Sequence, residues 1–167
     1  MGGSARGGEG RPLRAWAAVA LWVAVIFLFS GSDFSADNTQ GVFETLLRTL
    51  FPHFDPVRLE PLHVWIRKGA HVVEYSVLGA LTFRALRQGA TSARPSGPRA
   101  VALALALVVA VAVADESRQS RLEERTGSPL DVGLDLAGGA AGIAALHVVR
   151  RAGGRARARA ARGSTAA

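Results

Sequence analysis

Lys68, His71, Glu74 and Tyr75 lie close together in RKGAHVVEY, a stretch dense in groups that carry charge or exchange protons. On a helix the i, i+3 and i+4 spacing sets them, with Leu78, along one broad stripe. An imidazole near a carboxylate suits proton donation and acceptance, which makes His71 and Glu74 acid/base candidates. Further acids follow in two later segments. In ADESRQ, Asp115 and Gln119 are four apart and share a face, with Glu116 turned aside. In SPLDVGLDLAGGAAG, Asp131, Asp135, Gly138 and Gly142 share a face, carboxylates at one end and glycines at the other. Lys68 and Arg125 carry the charge to hold a phosphate or a carboxylate. His71, Glu74, Asp115, Asp131 and Asp135 have the donor types for a divalent cation. His-x-x-Glu without a second His-bearing helix motif is a weak metal signature, however, and no metal ligand is assigned. The chain has no Gly-rich phosphate loop, Gly-x-Ser-x-Gly elbow or zinc-protease helix motif. PSGP at Pro95–Pro98 is a fragment of a lipid-phosphatase signature without its histidine, and is set aside.

Four apolar runs carry these residues: Leu13–Ser30, Leu62–Leu86, Ala100–Ala114 and Leu130–Val149. A full membrane span takes about 20 apolar residues. The clean runs are shorter, so polar flanks must enter the bilayer or be sheltered in a bundle. Charge placement separates a membrane bundle from a soluble one. With the N-terminus in the cytoplasm, the inner segments 1–14, 84–99 and 150–167 hold thirteen arginines against one acid, Glu9. That is +12 inside, leaving −5 for the rest of a chain whose total is +7. Alternate segments rich in arginine are the positive-inside pattern. The sequence therefore predicts an all-α bundle of four transmembrane helices, both termini cytoplasmic, with the polar groups of the last three helices near the outer face. Ionisable groups at that depth are costly, so they should face one another across the bundle. Gly138 and Gly142, a small-xxx-small pair, would let a neighbouring helix approach closely and bring Asp131 and Asp135 against Lys68, His71 or Arg125.

Composition agrees with a helical fold. Hydrophobic residues are 49% of the chain but aromatics only 7%, a mix that suits close helix packing better than a β core. Without cysteine, disulfides and thiolate metal sites are excluded. The first run also has the features of a cleavable signal peptide: a basic start, an apolar core, and small residues at Ser30 and Ser32. In the outer loop, Val42, Phe43, Leu46, Leu47 and Leu50 fall at helical spacing before Pro52. They predict a short amphipathic helix, on the membrane surface or packed against its own loops. Residues 1–12 and 150–167 are rich in Gly and Arg and are expected to be disordered. Six arginines from Arg150 to Arg162 suit anionic headgroups. They come without the aromatic stacking or folded motif that nucleic acid requires.

In residue pattern the chain resembles the VanZ-like family of bacterial membrane proteins. Lys68, His71, Glu74, Tyr75, Leu78 and Gly79 match a Lys-x-x-His-x-x-Glu-Tyr-x-x-Leu-Gly pattern, and Asp115, Glu116 and Gln119 match Asp-Glu-x-His-Gln. Arg125, Thr126, Gly127, Ser128, Asp131, Asp135 and Gly142 match the segment that follows, and FLFSGS is similar to the family's start. The resemblance covers roughly residues 15–149. Two departures stand out: Arg118 replaces the usual His, and Glu123–Glu124 replace a common Pro-Gly turn. If that His does chemistry in the family, this chain is altered there. The resemblance implies a cell-envelope protein, with the founding member associated with teicoplanin tolerance, and names no reaction or cofactor.

Together these readings give a candidate site. His71, Glu74, Asp115 and Glu116 form its catalytic set. Lys68, Tyr75, Gln119, Arg125, Ser128, Asp131 and Asp135 form its substrate-binding set. The expected partners are membrane lipids and a lipid-linked or peptidoglycan-related substrate at the outer leaflet, with no nucleic acid. Three functions remain open: a protein that binds or modifies such a substrate, a non-catalytic module whose polar groups pair with one another, and a small ion-coupled carrier. The last lacks the internal repeat typical of carriers.

Overall fold

The computed structural model describes residues 6–31, 59–88, 95, 97–120 and 129–164, with Thr45, Thr49 and Leu50. Among these, all regular structure is helical. The long helices are α1 (Arg6–Phe29), α2 (Leu59–Leu86), α3 (Gly97–Gln119) and α4 (Pro129–Ser164). Three segments are long and apolar enough to cross a membrane: Gly10–Phe29, Gly97–Gln119 and Pro129–Arg155. α2 has the length, 28 residues or about 42 Å at 1.5 Å per residue. It is not among the three; Arg67, Lys68, Glu74 and Arg84 interrupt its apolar pattern. Those charges go with its position, because α2 is the hub on which α1, α3 and α4 all pack, α4 most extensively.

Buried Val19 and Ile26 of α1, Tyr75, Leu78 and Ala85 of α2, and Val108, Val111 and Ala112 of α3 make the main core. Phe83, Ala100, Ala104 and Ile143 form a second cluster. Large apolar side chains also face outward on every helix, including Leu21, Leu28, Val73, Leu103 and Val148. A helix apolar on its outer as well as its inner face suits a lipid surround.

The α2–α4 seam is closed by glycine. A Cβ at Gly138 would lie 2.8 Å from the Val72 carbonyl oxygen, and one at Gly142 would overlap the Ser76 backbone. Gly79 meets Gly139 in the same way, while Gly139 lies under Val108 of α3. The Ser76 hydroxyl sits 2.6 Å from the Val72 carbonyl and 2.9 Å from that of Gly138, so it bonds across the seam as well as along its own helix. The small-xxx-small pair read from the sequence thus places two backbones in contact.

The ends differ from expectation. α1 begins at Arg6, and α4 continues to Ser164 through RRAGGRARARAARGS, both within stretches expected to lack structure. Alanine and arginine are strong helix formers, and extending an existing helix requires no new nucleus, which offsets the cost of Gly153–Gly154. In the expected loop helix over Val42–Leu50, only Thr45, Thr49 and Leu50 are described. The Thr49 hydroxyl donates to the Thr45 carbonyl at 2.7 Å, one helical turn back.

Candidate functional site

One end of the α2–α4 seam, beyond the glycines, is polar. Lys68 Nζ reaches Asp131 Oδ1 at 2.6 Å, with both side chains partly exposed. One turn further in, His71 Nδ1 stands 3.4 Å from Asp135 Oδ1, the imidazole 17% and the carboxylate 1% exposed. The steps 68 to 71 on α2 and 131 to 135 on α4 each advance about one turn in the same direction, so the two parallel helices stack the pairs in register. Below His71 lies the fully buried Tyr75, its ring 6.2 Å away and within 13° of parallel.

α3 supplies the third wall. Asp115 is fully buried and accepts a 2.8 Å bond from Gln119 Nε2, which also donates to Ser30 Oγ at 2.6 Å. Gln119 and Ser30 thereby tie the end of α3 to the end of α1. Glu116, placed off this face by sequence spacing, is buried instead and lines the opening with Gln119. The space between three helices is wide enough to take residues a full 100° apart. Glu74 is half-buried and does not line that opening; its carbonyl accepts the Trp22 indole N–H at 2.8 Å, linking α1 to α2.

Arg118, the departure from the family pattern, has contacts of its own. Its Nη2 donates to the Phe27 carbonyl at 2.5 Å, its guanidinium lies 5.3 Å from the Phe27 ring centre, and Nη2 is 3.9 Å from Asp115 Oδ1. This guanidinium therefore puts positive charge beside Asp115 and braces α1 against α3. Arg125 and Ser128 lie outside the described residues.

The site brings together Lys68, His71, Tyr75, Asp115, Glu116, Gln119, Asp131 and Asp135, and sequence spacing did not mark Arg67, Leu134 and Ser30 as members. Ser30 ends an apolar run, and nothing local shows that it meets Gln119 some ninety residues on. Among the described residues that line the opening, the carboxylates Glu116, Asp131 and Asp135 stand with Arg67, Lys68 and the His71 imidazole. Several buried acceptors and donors lack a hydrogen-bond partner among the described residues: His71 Nδ1, Tyr75 Oη, Asp115 Oδ1 and both carboxylate oxygens of Asp135. The opening reaches His71 and Asp135 but not Tyr75 or Asp115, and it is narrow, a cavity of about 10 Å³ lined by Arg67, Lys68, His71, Glu116, Gln119, Asp131, Leu134 and Asp135. No cluster of three or more His, Cys, Asp or Glu fit to hold a metal occurs among the described residues.

Apolar helices able to cross a bilayer, gathered around a recessed polar cluster that opens at one end, define a helical protein of membrane type. Residues 15–150 match the VanZ/LLP1 family, most of the chain, and the protein belongs to that family. No curated protein and no solved structure matches the chain.

Proposed function

We propose that the chain is a four-span protein of the cell membrane with both termini in the cytoplasm, and that it binds or modifies the polar part of a lipid-linked or peptidoglycan-related substrate at the outer leaflet. α2 would be the fourth span, its charges sheltered by the other three helices. One observation carries the site: Asp135, Asp115 and Tyr75 are all buried, and each keeps a polar atom that makes no hydrogen bond among the described residues, with His71 Nδ1 3.4 Å from Asp135 Oδ1 and Arg118 Nη2 3.9 Å from Asp115 Oδ1. A network that served only to hold helices together would satisfy such atoms, since each one left bare costs about 1–3 kcal/mol. In this reading a donor-rich or cationic group of the substrate satisfies Asp135 and Asp115. Lys68, at the rim, meets an anionic group, and Arg125 and Ser128, substrate-binding candidates from the sequence alone, would serve the same substrate. Asp135 faces His71 Nδ1 and orients the ring, leaving Nε2 free to exchange a proton with the substrate; Glu74 is the second acid/base group. Glu116, Gln119 and Asp131 position the substrate, and its loss would weaken tolerance of glycopeptides such as teicoplanin.

A structural reading has support of its own. Lys68–Asp131 is a tight pair, and an opening of about 10 Å³ admits little more than one water. Substrate entry then requires α2 and α4 to part at this end. His71→Ala and Glu74→Ala, followed for membrane abundance and teicoplanin susceptibility, separate the two. Normal abundance with lost tolerance supports the site, whereas collapse of abundance supports helix glue. Topology has a separate test, convenient because the chain lacks cysteine. In intact cells an impermeant maleimide should label Ser120→Cys and spare Ala152→Cys; labelling of both would reject the arrangement.

A further inference from the structure

The opposite end of the molecule holds a larger cavity, of about 460 Å³, between the start of α1 and the end of α2. Its lining is Arg11, Arg14, Arg84, Arg87 and Gln88 above Ala15, Ala18 and Leu81. Among the described residues, no carboxylate lines it. Four guanidiniums gathered in one cleft repel one another unless an anion joins them. The sequence builds this cleft in layers: Ala15 and Ala18 lie one turn deeper than Arg11 and Arg14, and Leu81 one turn deeper than Arg84.

Two of the arginines are held in place. With its amide oriented to satisfy both neighbours, Gln88 accepts from Arg84 Nε at 2.8 Å and donates to the Arg11 carbonyl at 3.3 Å. Arg87 Nη1 donates to the Pro95 carbonyl at 2.8 Å. A guanidinium carries five N–H donors, so each keeps most of its donors for a ligand. Such a fork, fixed in place, suits the oxygens of a phosphate better than a mobile charge does.

We propose that this cleft binds the phosphate of an anionic glycerophospholipid of the inner leaflet. Its volume lies within the roughly 300–1,000 Å³ usual for small-molecule sites. The gradation from cationic rim to apolar floor matches a headgroup that continues into glycerol and acyl chain, whereas a free anion gains nothing from Ala15, Ala18 and Leu81. The exposed Trp16 lies one helical step inward of the rim, where interfacial tryptophans mark headgroup depth, and Leu13 beside it is 74% exposed. This inference rests on the membrane reading but not on any role for the polar site at the other end.

The test is native mass spectrometry of the full chain released from detergent micelles containing phosphatidylglycerol, phosphatidylcholine or inorganic phosphate. Phosphatidylglycerol should remain bound in preference to phosphatidylcholine. Arg11→Gln with Arg84→Gln should lower its retention about tenfold, the loss expected for charge-assisted phosphate contacts. Arg155→Gln with Arg157→Gln, equal in charge but outside the cleft, should change it by less than about twofold. Gln88→Glu keeps the side-chain size and places a carboxylate among the guanidiniums. It should reduce lipid retention while raising thermal stability in phosphatidylcholine, so a folding defect cannot mimic the result. Equal losses in the cleft and tail variants, or no loss in either, would overturn the site. Displacement of the lipid by millimolar inorganic phosphate would overturn the lipid assignment.

Discussion

The same two helices, α2 and α4, meet in opposite ways along one seam. At Gly138 and Gly142 the α4 backbone lies directly on that of Val72 and Ser76, with no space for a methyl group. One to two turns away, at Asp131 and Asp135, the seam carries charged side chains, and several buried polar atoms there lack partners. The contrast shows how a membrane bundle sustains an unfavourable polar site. Close glycine contact fixes the helix separation, and this tightly packed half sets where the carboxylates stand. Strained or unsatisfied groups persist where the surroundings over-determine them, as at functional sites.

The largest expected effect comes from prising apart the closed half. Gly142→Leu should destabilise the protein by more than about 3 kcal/mol in detergent unfolding, because backbone rather than a flexible side chain blocks the new Cβ. Tolerance of that change would show that the seam is not rigid. Removing the α1 tie is milder: Trp22→Phe loses the bond to the Glu74 carbonyl and should cost about 1 kcal/mol in the same assay. Smallest is the rim pair. A double-mutant cycle on Lys68→Ala and Asp131→Ala should give a coupling of about 0.5–1 kcal/mol, as for partly exposed ion pairs and for polar contacts in membrane bundles. A coupling several times larger would move the rim from binding surface to structural clamp.

The sequence shows much of this arrangement wherever a repeat of three to four residues governs it. The stripe of Lys68, His71 and Tyr75, and the face of Asp131, Asp135, Gly138 and Gly142, depend only on helical periodicity, and the structure brings these two faces together. Helix ends are less legible, since α1 and α4 run on into glycine- and arginine-rich segments where no apolar pattern marks a limit. Contacts between distant segments are hidden altogether. Gln119 with Ser30, Arg118 with Phe27, and the meeting of Arg11 and Arg14 with Arg84 and Arg87 depend on how α1 docks, which no local spacing encodes. Glu116 was misplaced for a related reason: a helix wedged between two others buries more than one face.

The most direct measurement is the unfolding free energy of Asp135→Asn in detergent or bicelles. Asp135 is 1% exposed, and neither carboxylate oxygen has a hydrogen-bond partner among the described residues. If the glycine seam holds a carboxylate there for binding, the neutral isostere will leave stability within about 1 kcal/mol of the parent or raise it. A loss of about 3–5 kcal/mol, the usual result of breaking a buried ion pair, would make His71–Asp135 a structural bond and contradict the account.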